Sequence, residues 1–293
     1  MNKSFISIFC VLLISLMMFN CSGSNKSVKE PADTTTAENQ DVQAPQKPKK
    51  HVVSCMSFNV LGQYGETSEI PSATVRYPHT VKLLVQYEAD ILCVQEAMVS
   101  TVNWQEKLPK DLTKEIDYDY VSYNSLSGKE HRIINGLFIF YKNEIFELKD
   151  SGFHVFSNVD TTDRVFIWAE LYDKIAQKTV FVVNTHWSLD DTRTNQAKQM
   201  LDFFKEKVKD NVLFACGDFN SGANTEWMQL LCSDIYKNCS LIHNQGVNGV
   251  DHFIINASVI DVKHYGLVEA SFTQDGQTYK YSDHKPVLIR AKF

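Results

Sequence analysis

From residue 51 onward, the chain is built of short apolar runs, and most of them end in a small group of polar residues. Runs of this length, rich in Val, Ile and Phe, are typical of buried strands. We assign strands to residues 52–60, 91–94, 136–141, 165–171, 178–183, 212–216, 250–255 and 286–291. The spacing of apolar residues predicts helices over 72–87, 193–208 and 225–231. Strands outnumber helices, which predicts one α/β domain with helices covering β-sheets.

Residues 1–21 are predicted to be a signal peptide that directs export. Lys3 precedes an apolar stretch at residues 5–19, which is shorter than the roughly 20 residues of a membrane-spanning helix. Cys21 and the small polar residues after it resemble the end of a bacterial lipoprotein signal, although Met18 and Asn20 depart from that pattern. We therefore expect an extracytoplasmic protein of the bacterial cell envelope, held at the membrane through a lipidated Cys21. A simple signal peptide or an uncleaved anchor is the alternative.

Residues 22–50 are rich in Ser, Thr, Lys, Glu, Gln, Asn and Pro and almost free of large apolar residues. Such a segment cannot bury enough apolar surface to offset the entropy lost on ordering. We interpret it as a disordered tether, which leaves residues 51–293 as the folded domain.

The cysteines beyond residue 21 are expected to be mainly core residues. Cys55, Cys93 and Cys216 lie in strand-like runs, where thiols are usually buried. Cys232 and Cys239 alone are candidates for a disulfide, although sequence spacing does not fix the geometry of a bridge. No CxxC spacing indicates a zinc site.

The charge of the chain does not favour a polyanionic partner. The formal net charge is −6, and the only basic residues near the polar motifs are Arg132, Arg164, Arg193 and Lys285. Proteins that bind nucleic acid by neutralising phosphates are usually more basic. A bound divalent cation can carry the charge of a phosphate instead.

The polar groups at the strand ends follow a fixed order along the chain. They are SFN at 57–59, VQE at 94–96, NTHW at 184–187, GDFNS at 217–221, GVDHFI at 249–254 and SDHKPV at 282–287. Taken singly, each has an ordinary structural explanation, because Asn, Asp and His are common in turns and half-buried positions.

In this order, the six motifs resemble those of the endonuclease/exonuclease/phosphatase superfamily. That superfamily includes deoxyribonucleases, abasic-site endonucleases, inositol polyphosphate 5-phosphatases, neutral sphingomyelinases and poly(A) deadenylases. The resemblance covers residues 51–293, and it includes Arg76, with Trp187 and His252 as mild departures. It implies a four-layer α/β/β/α sandwich with two packed, mainly antiparallel sheets and a catalytic site at one edge.

The resemblance also implies a metal site. Asn59, Glu96 and Asp283 are the predicted ligands of Mg²⁺, with Mn²⁺ as an alternative. Oxygen donors of this kind suit hard cations.

The remaining motif residues take catalytic roles in this interpretation. Asp218 is expected to activate the attacking water, and Asn220 to fix the phosphoryl group. His186 and His284 are expected to donate hydrogen bonds to phosphoryl oxygens, while Asp251 binds the other ring nitrogen of His284.

The function predicted first is that of an exported, Mg²⁺-dependent phosphatase or phosphodiesterase. Its substrate would be a phosphorylated small molecule or a phospholipid headgroup, and we expect a monomer. A cell-surface nuclease of the same fold is the alternative, with nucleic acid as the substrate. A binding lipoprotein that has lost activity is a minor alternative, which the complete set of catalytic residue types disfavours.

Overall fold

A computed structural model describes residues 51–62, 65–123, 136–157, 164–243, 249–259 and 261–293. The predicted signal peptide, Cys21, the tether and Arg132 lie outside these residues. Within the described ranges, no helix combines the length and the apolar character needed to cross a bilayer.

The strands follow one another along the whole domain. They are β1 (Val52–Asn59), β2 (Ile91–Gln95), β3 (Tyr118–Tyr123), β4 (Leu137–Lys142), β5 (Phe146–Val155), β6 (Val165–Asp173), β7 (Lys178–His186), β8 (Val212–Asp218), β9 (Lys237–Asn238), β10 (Asp251–Ile255), β11 (Asp261–Leu267), β12 (Ser271–Gln274), β13 (Gln277–Lys280) and β14 (Val287–Lys292). The helices are α1 (Ala73–Tyr87), α2 (Trp104–Glu115), α3 (Arg193–Phe203), α4 (Glu226–Leu231) and α5 (Cys239–Ile242), and a π-helical turn (Phe204–Val208) continues α3.

Two six-stranded sheets form the centre of the domain. Their strand orders are β11-β14-β1-β2-β4-β3 and β5-β6-β7-β8-β10-β9, and β12 pairs with β13 in a separate hairpin. In each sheet one central pair of strands is parallel, β1 with β2 and β7 with β8. The other described pairs in these sheets are antiparallel. The sheets are therefore mainly antiparallel, as predicted.

The core has three apolar layers, which produce the predicted four-layer sandwich. Between the sheets, residues such as Cys55, Ile167 and Phe214 pack face to face. A second cluster joins the outer face of the first sheet to α1 and α2, and a third joins the second sheet to α3, the π-helical turn and α4. Because both faces of each central strand are covered, these strands are continuous apolar runs rather than alternating ones.

The structure adds elements that apolar patterning does not predict. The edge strand β5 is exposed at most of its positions, and α2 is a polar helix with Pro109 inside it. Strands β7 and β8 also continue through the polar motifs to His186 and Asp218, because those residues still pair in the ladder.

The suggested Cys232–Cys239 bridge is wrong, since both cysteines are free. Cys239 packs in the layer between the sheets, whereas Cys232 packs against the outer cluster under α4. The two thiols thus belong to opposite faces of the second sheet. Cys55, Cys93 and Cys216 are buried between the sheets, as expected.

Candidate active site

Strand register places three of the predicted site residues side by side at one edge of the second sheet. His186 on β7 lies opposite Asp218 on β8, and Asp218 lies opposite Asp251 on β10. Residues directly opposite one another on neighbouring strands project from the same face. One imidazole and two carboxylates therefore share a small region, and all three residues are buried.

The residue before Asp218 has to be glycine for β7 and β8 to approach this closely. Gly217 has a φ of +138°, and a Cβ there would lie 2.0 Å from the carbonyl oxygen of Thr185. Only glycine adopts such a backbone conformation without strain. The glycine of the GDFN motif thus sets the position of the aspartate that follows it.

The first sheet brings Asn59 and Glu96 to the same edge from the ends of the parallel strands β1 and β2. The Asn59 amide nitrogen donates to Glu96 Oε1 at 2.9 Å and to Asp218 Oδ2 at 3.1 Å, so it links carboxylates of the two sheets. Its oxygen accepts from the Leu61 N–H at 3.1 Å. Asn59 therefore presents a donor to the site in this arrangement, and its role as an oxygen ligand stays a prediction.

Arg76 fixes the loops that carry these groups. Its buried guanidinium donates to the carbonyl oxygens of Val60 and Leu61, and also to that of Tyr281 at 2.6 Å. The first two carbonyls follow Asn59 in sequence, and the third precedes the Ser282–Asp283–His284 motif. One side chain from α1 thus joins two segments of the site, which gives the arginine in the motif pattern a structural role.

His186 lies against Asp218 in a fully buried position. Its Nε2 is 3.5 Å from Asp218 Oδ2, and its Nδ1 is 3.9 Å from Glu96 Oε1. Burial lowers the pKa of His186 to about 3, which the charge of Asp218 opposes only in part. The imidazole is therefore neutral at physiological pH, and its Nδ1 has no hydrogen-bond partner among the described residues.

His284 has the opposite character. Its Nδ1 is 2.7 Å from Asp251 Oδ2, and its Nε2 is 3.7 Å from Asp218 Oδ2. Burial alone would lower the pKa of His284, but the hydrogen bond to Asp251 and the charges of Asp251, Asp218 and Asp283 outweigh it and raise the pKa to about 10. The expected Asp251–His284 hydrogen bond is present, and it favours the charged imidazole.

Asn220 closes the site on the side of the second sheet. Its backbone N–H donates to Asp218 Oδ1 at 2.8 Å, and its side-chain amide donates to the Trp187 carbonyl at 2.7 Å. Arg193 donates to the Asn220 carbonyl oxygen and stacks on the ring of Trp227 at 4.5 Å. The basic residue considered above for nucleic acid therefore supports the loop after Asp218, a role that sequence reasoning missed.

A second missed feature joins the two sheets beneath the site. Gln95 Nε2 donates to Asn184 Oδ1 at 2.7 Å, and Asn184 Nδ2 donates to the Val94 carbonyl at 2.9 Å. Both amides are completely buried. Their place in the VQE and NTHW motifs is the sequence signal for this contact.

The model of the Endonuclease/Exonuclease/phosphatase family matches residues 56–284. The chain belongs to this family. Its region of similarity to the CCR4-Not complex 3'-5'-exoribonuclease subunit Ccr4 of Saccharomyces cerevisiae is 24% identical, covering 69% of this chain and 29% of the yeast protein. The chain thus spans less than a third of that relative's length.

Solved structures of family members share the fold. An endonuclease/exonuclease/phosphatase family protein from Bacteroides thetaiotaomicron superposes with a TM-score of 0.70 at 19% identity, covering 84% of this chain and 99% of that one. A mannosyl-6-phosphatase from Bacteroides thetaiotaomicron VPI-5482 superposes with a TM-score of 0.66 at 19% identity, covering 82% and 100%. Members of the family are hydrolases that act on phosphoesters.

The residues of this family member fit a divalent cation. Glu96, His186 and Asp218 each offer a ligand atom within 4.8 Å of the others, and Asp218, Asp251 and His284 do the same. Burial raises the pKa of Glu96, and the charges of Asp218 and Asp283 raise it further. Crowded buried carboxylates repel one another, and a hard cation relieves that repulsion. The half-exposed Asp283 lies on the His284 side, 3.9 Å from its Nε2.

Proposed function

We propose that this chain is a metal-dependent phosphatase or phosphodiesterase in which Asp218 accepts the proton of the attacking water. The observation that carries the proposal is the position of Asp218. Its Oδ2 lies 3.5 Å from His186 Nε2 and 3.7 Å from His284 Nε2, in a region bounded by strands of both sheets. A base has to be within hydrogen-bonding reach of the water and held at a fixed angle.

The contacts of Asp218 orient its carboxylate for this task. One oxygen accepts from the Asn220 N–H and the other from the Asn59 amide. In the reaction, the water oxygen bonds to phosphorus, Asp218 takes a proton from that water, and the bond from phosphorus to the ester oxygen breaks. The released alkoxide is protonated by solvent.

Both histidines can donate hydrogen bonds to the phosphoryl oxygens, on which negative charge develops. They differ in charge. Charged His284 supplies a positive donor at Nε2, since Asp251 occupies its Nδ1. Neutral His186 supplies one donor, and burial keeps it uncharged across the physiological range. Fixed donors of this kind stabilise an anionic transition state without reorganisation.

Mg²⁺, or Mn²⁺ in its place, would be held by Glu96 with Asn59 and Asp283. Such an ion neutralises the negative charge of the phosphate, which otherwise repels the nucleophile. For Asn59 to be a ligand, its amide oxygen would have to leave the Leu61 N–H and turn toward the ion. Its nitrogen would then leave Glu96 and Asp218, and the Asn220 N–H would be the contact that orients Asp218.

The location of the enzyme is also a proposal. The lipoprotein-like segment that ends at Cys21 supports export and attachment to a membrane. Labelling with a radioactive fatty acid in a bacterial host tests this, because a Cys21→Ser variant should lose the label and leave the membrane fraction. Label that persists in the variant would contradict lipidation at Cys21.

Activity is tested with the full chain in Mg²⁺ on a panel of phosphomonoesters, phospholipids, plasmid DNA and RNA. We expect hydrolysis of small phosphoesters or headgroups. The similarity to an exoribonuclease makes a nuclease the alternative, and degradation of RNA or DNA without hydrolysis of small esters would establish it. Inactivity on the whole panel, by a folded protein, would contradict the proposal.

A further inference from the structure

His252, one of the two departures from the motif pattern, follows Asp251 on β10 and has no exposed surface. Its ring centroid lies 5.9 Å from that of Phe219, the residue after Asp218. A side chain without exposed surface does not contact a substrate directly. Any contribution of His252 to the site is therefore transmitted through the groups that it touches.

Both ring nitrogens of His252 have a buried partner. Nε2 is 2.7 Å from the carbonyl oxygen of Ser221, and Nδ1 is 3.0 Å from the hydroxyl of Ser240. A carbonyl oxygen can only accept, so Nε2 carries the proton and donates to Ser221. Burial lowers the pKa of His252, so the ring is neutral and its Nδ1 accepts from the Ser240 hydroxyl.

Ser240 extends these contacts to the first sheet. It lies on α5, and its Oγ is 2.8 Å from the hydroxyl of Tyr265 on β11. Because Ser240 gives its proton to His252, Tyr265 is the donor in this second bond. Ser240, Tyr265 and Ser221 are all buried. An unbroken chain of hydrogen bonds thus runs from Tyr265 through His252 to the Ser221 carbonyl.

The Ser221 carbonyl belongs to the loop that orients Asp218. In this loop, Asn220 has a φ of +47°, in the left-handed region that asparagine tolerates better than most residues. The backbone N–H of Asn220 donates to the Asp218 carboxylate. Arg193 holds the Asn220 carbonyl, and His252 holds the next carbonyl, that of Ser221. Two consecutive carbonyls are therefore fixed by donors from α3 and β10, which limits the backbone rotation that would move the Asn220 N–H.

We propose that His252 is a positioning residue, which acts through the Ser221 carbonyl on the Asn220 N–H and so on the Asp218 carboxylate. This inference rests on the proposed function, in which Asp218 accepts the proton of the attacking water. Without the His252 donor, the Ser221 carbonyl is left buried and unsatisfied, and the loop has to shift to find another partner.

Three variants separate the two bonds of the His252 ring. The side-chain nitrogen of glutamine can take the place of Nε2, so His252→Gln can still donate to the Ser221 carbonyl. Asparagine is one bond shorter and reaches only the position of Nδ1, so His252→Asn keeps a partner for Ser240 and loses Ser221. His252→Phe keeps a ring against Phe219 and loses both bonds.

Activity is measured in Mg²⁺ on the ester of the panel above that the unaltered chain hydrolyses fastest. We expect kcat to fall about tenfold to a hundredfold in His252→Asn and His252→Phe, the cost of displacing a positioned group by about 1 Å. His252→Gln should keep most of its kcat, and KM should change little because His252 does not contact the substrate. A kcat that is unchanged in His252→Phe, or that is the same in the glutamine and asparagine variants, would overturn the inference.

Asn256→Ala is the matched control for a purely structural effect. Asn256 follows the other end of β10, is buried and donates to the Asn211 carbonyl at 2.7 Å. Its replacement removes the same kind of bond far from the site, so it should lower the melting temperature and leave kcat unchanged. Because glutamine retains the bond to Ser221, a folded His252→Gln that loses its activity would overturn the inference even if the other two variants do not fold.

Hydrogen exchange followed by mass spectrometry separates this inference from the proposed function. The N–H groups of Phe219 and Asn220 are bonded to the Val250 carbonyl and the Asp218 carboxylate, so their exchange reports the position of the loop. Peptides that cover residues 217–222 should exchange faster in His252→Asn than in the unaltered chain or in His252→Gln, while peptides from β4 should not change. Faster exchange of this loop, with no hydrolysis of any ester by the unaltered chain, would support the hold of His252 on the loop and contradict the proposed function. Unchanged exchange in every variant would overturn the inference, and hydrolysis by the unaltered chain would still support the proposed function.

Discussion

Asp251 and His284 join the two sheets of the sandwich through a single hydrogen bond of 2.7 Å between Oδ2 and Nδ1. Asp251 begins β10 in the second sheet, and His284 precedes β14 in the first. The bond orients the imidazole and supports its positive charge. It also makes the geometry of the site depend on how the sheets pack against each other.

This pair predicts a specific dependence of stability on pH. The pKa of His284 is raised from the ordinary 6.5 to about 10. A group whose pKa is raised in the folded state contributes stability fully below its unfolded pKa and loses that contribution as the pH rises through its folded pKa. A chelator keeps the site free of metal in this measurement. The unaltered chain should be more stable than His284→Gln at pH 6.5, and this difference in unfolding free energy should decrease as the pH is raised to 10.

Asp251→Asn provides the control for this measurement. Removing the negative partner should bring the His284 pKa down toward its ordinary value, which NMR titration of the histidine ring can follow. A His284 pKa that is the same in both proteins would contradict the role of Asp251.

If Asp218 is the general base, replacing it should lower activity far more than stability. Asp218→Asn should reduce turnover by about two to four orders of magnitude, the usual cost of losing a positioned general base. Without metal, its melting temperature should change by only a few degrees, because two effects oppose each other. The change removes one of several crowded carboxylates and keeps an oxygen for the Asn220 N–H, but it takes away the acceptor of the Asn59 amide. Turnover and thermal melting of the same preparations check both, and a fully active variant would exclude Asp218 from the chemistry.

Hydrolysis should also require a divalent cation. Exhaustive chelation should abolish turnover, and Mg²⁺ or Mn²⁺ should restore it, while Ca²⁺ should do so less well because it prefers longer bonds and more ligands. Glu96→Gln should raise the Mg²⁺ concentration needed for half-maximal activity, because it removes a partly buried carboxylate from the predicted ligand set. Full activity in chelator would contradict the metal site.

Arg193 supports the loop after Asp218 through hydrogen bonds, and we expect this role to depend on the shape of its guanidinium rather than on its charge. Arg193→Met should lower kcat about tenfold to a hundredfold, since a shift of about 1 Å in a positioning group can cost that much. KM should change little. Arg193→Lys keeps the charge but cannot donate to the carbonyl oxygens of Asp190 and Asn220 from one planar group, as the guanidinium does, so it should not restore kcat. Recovery by lysine would show that charge alone matters.

The sequence predicts the central strands well because they are covered on both faces and form unbroken apolar runs, whereas the two-sheet sandwich is implied by the family resemblance of the motifs. It does not predict β5, because eight of its ten residues are exposed. It does not predict α2 either, because Pro109 and several charged residues interrupt the apolar pattern of that helix. Backbone pairing with β6 determines β5, and the packing of Trp104, Leu108 and Leu112 in the outer cluster determines α2.

The residues of the site are readable from the sequence, but their contacts are not. The order of the motifs identifies which residue types are available, but the pairing of Asp218 with His186 and Asp251 depends on strand register. The direction of the Asn59 amide depends on the Leu61 N–H that holds its oxygen. Neither register between distant strands nor a local amide orientation can be obtained from one sequence.

Gly217 allows the close approach of β7 and β8 that positions Asp218, so replacing it should destabilise the fold. Gly217→Ala would place a Cβ 2.0 Å from the Thr185 carbonyl oxygen, on a residue whose φ is +138°. Because that oxygen belongs to the backbone of a buried strand, β7 and β8 would have to separate or twist. We expect the unfolding free energy to fall by at least about 3 kcal/mol, and the melting temperature by about 2–4 °C for each kcal/mol. Gly222→Ala is the matched control in the same loop region, since a Cβ there has no atom within 4 Å, and its effect should stay within about 0.5 kcal/mol. Equal melting temperatures for the two variants would mean that the close approach of β7 and β8 does not hold Asp218 in place.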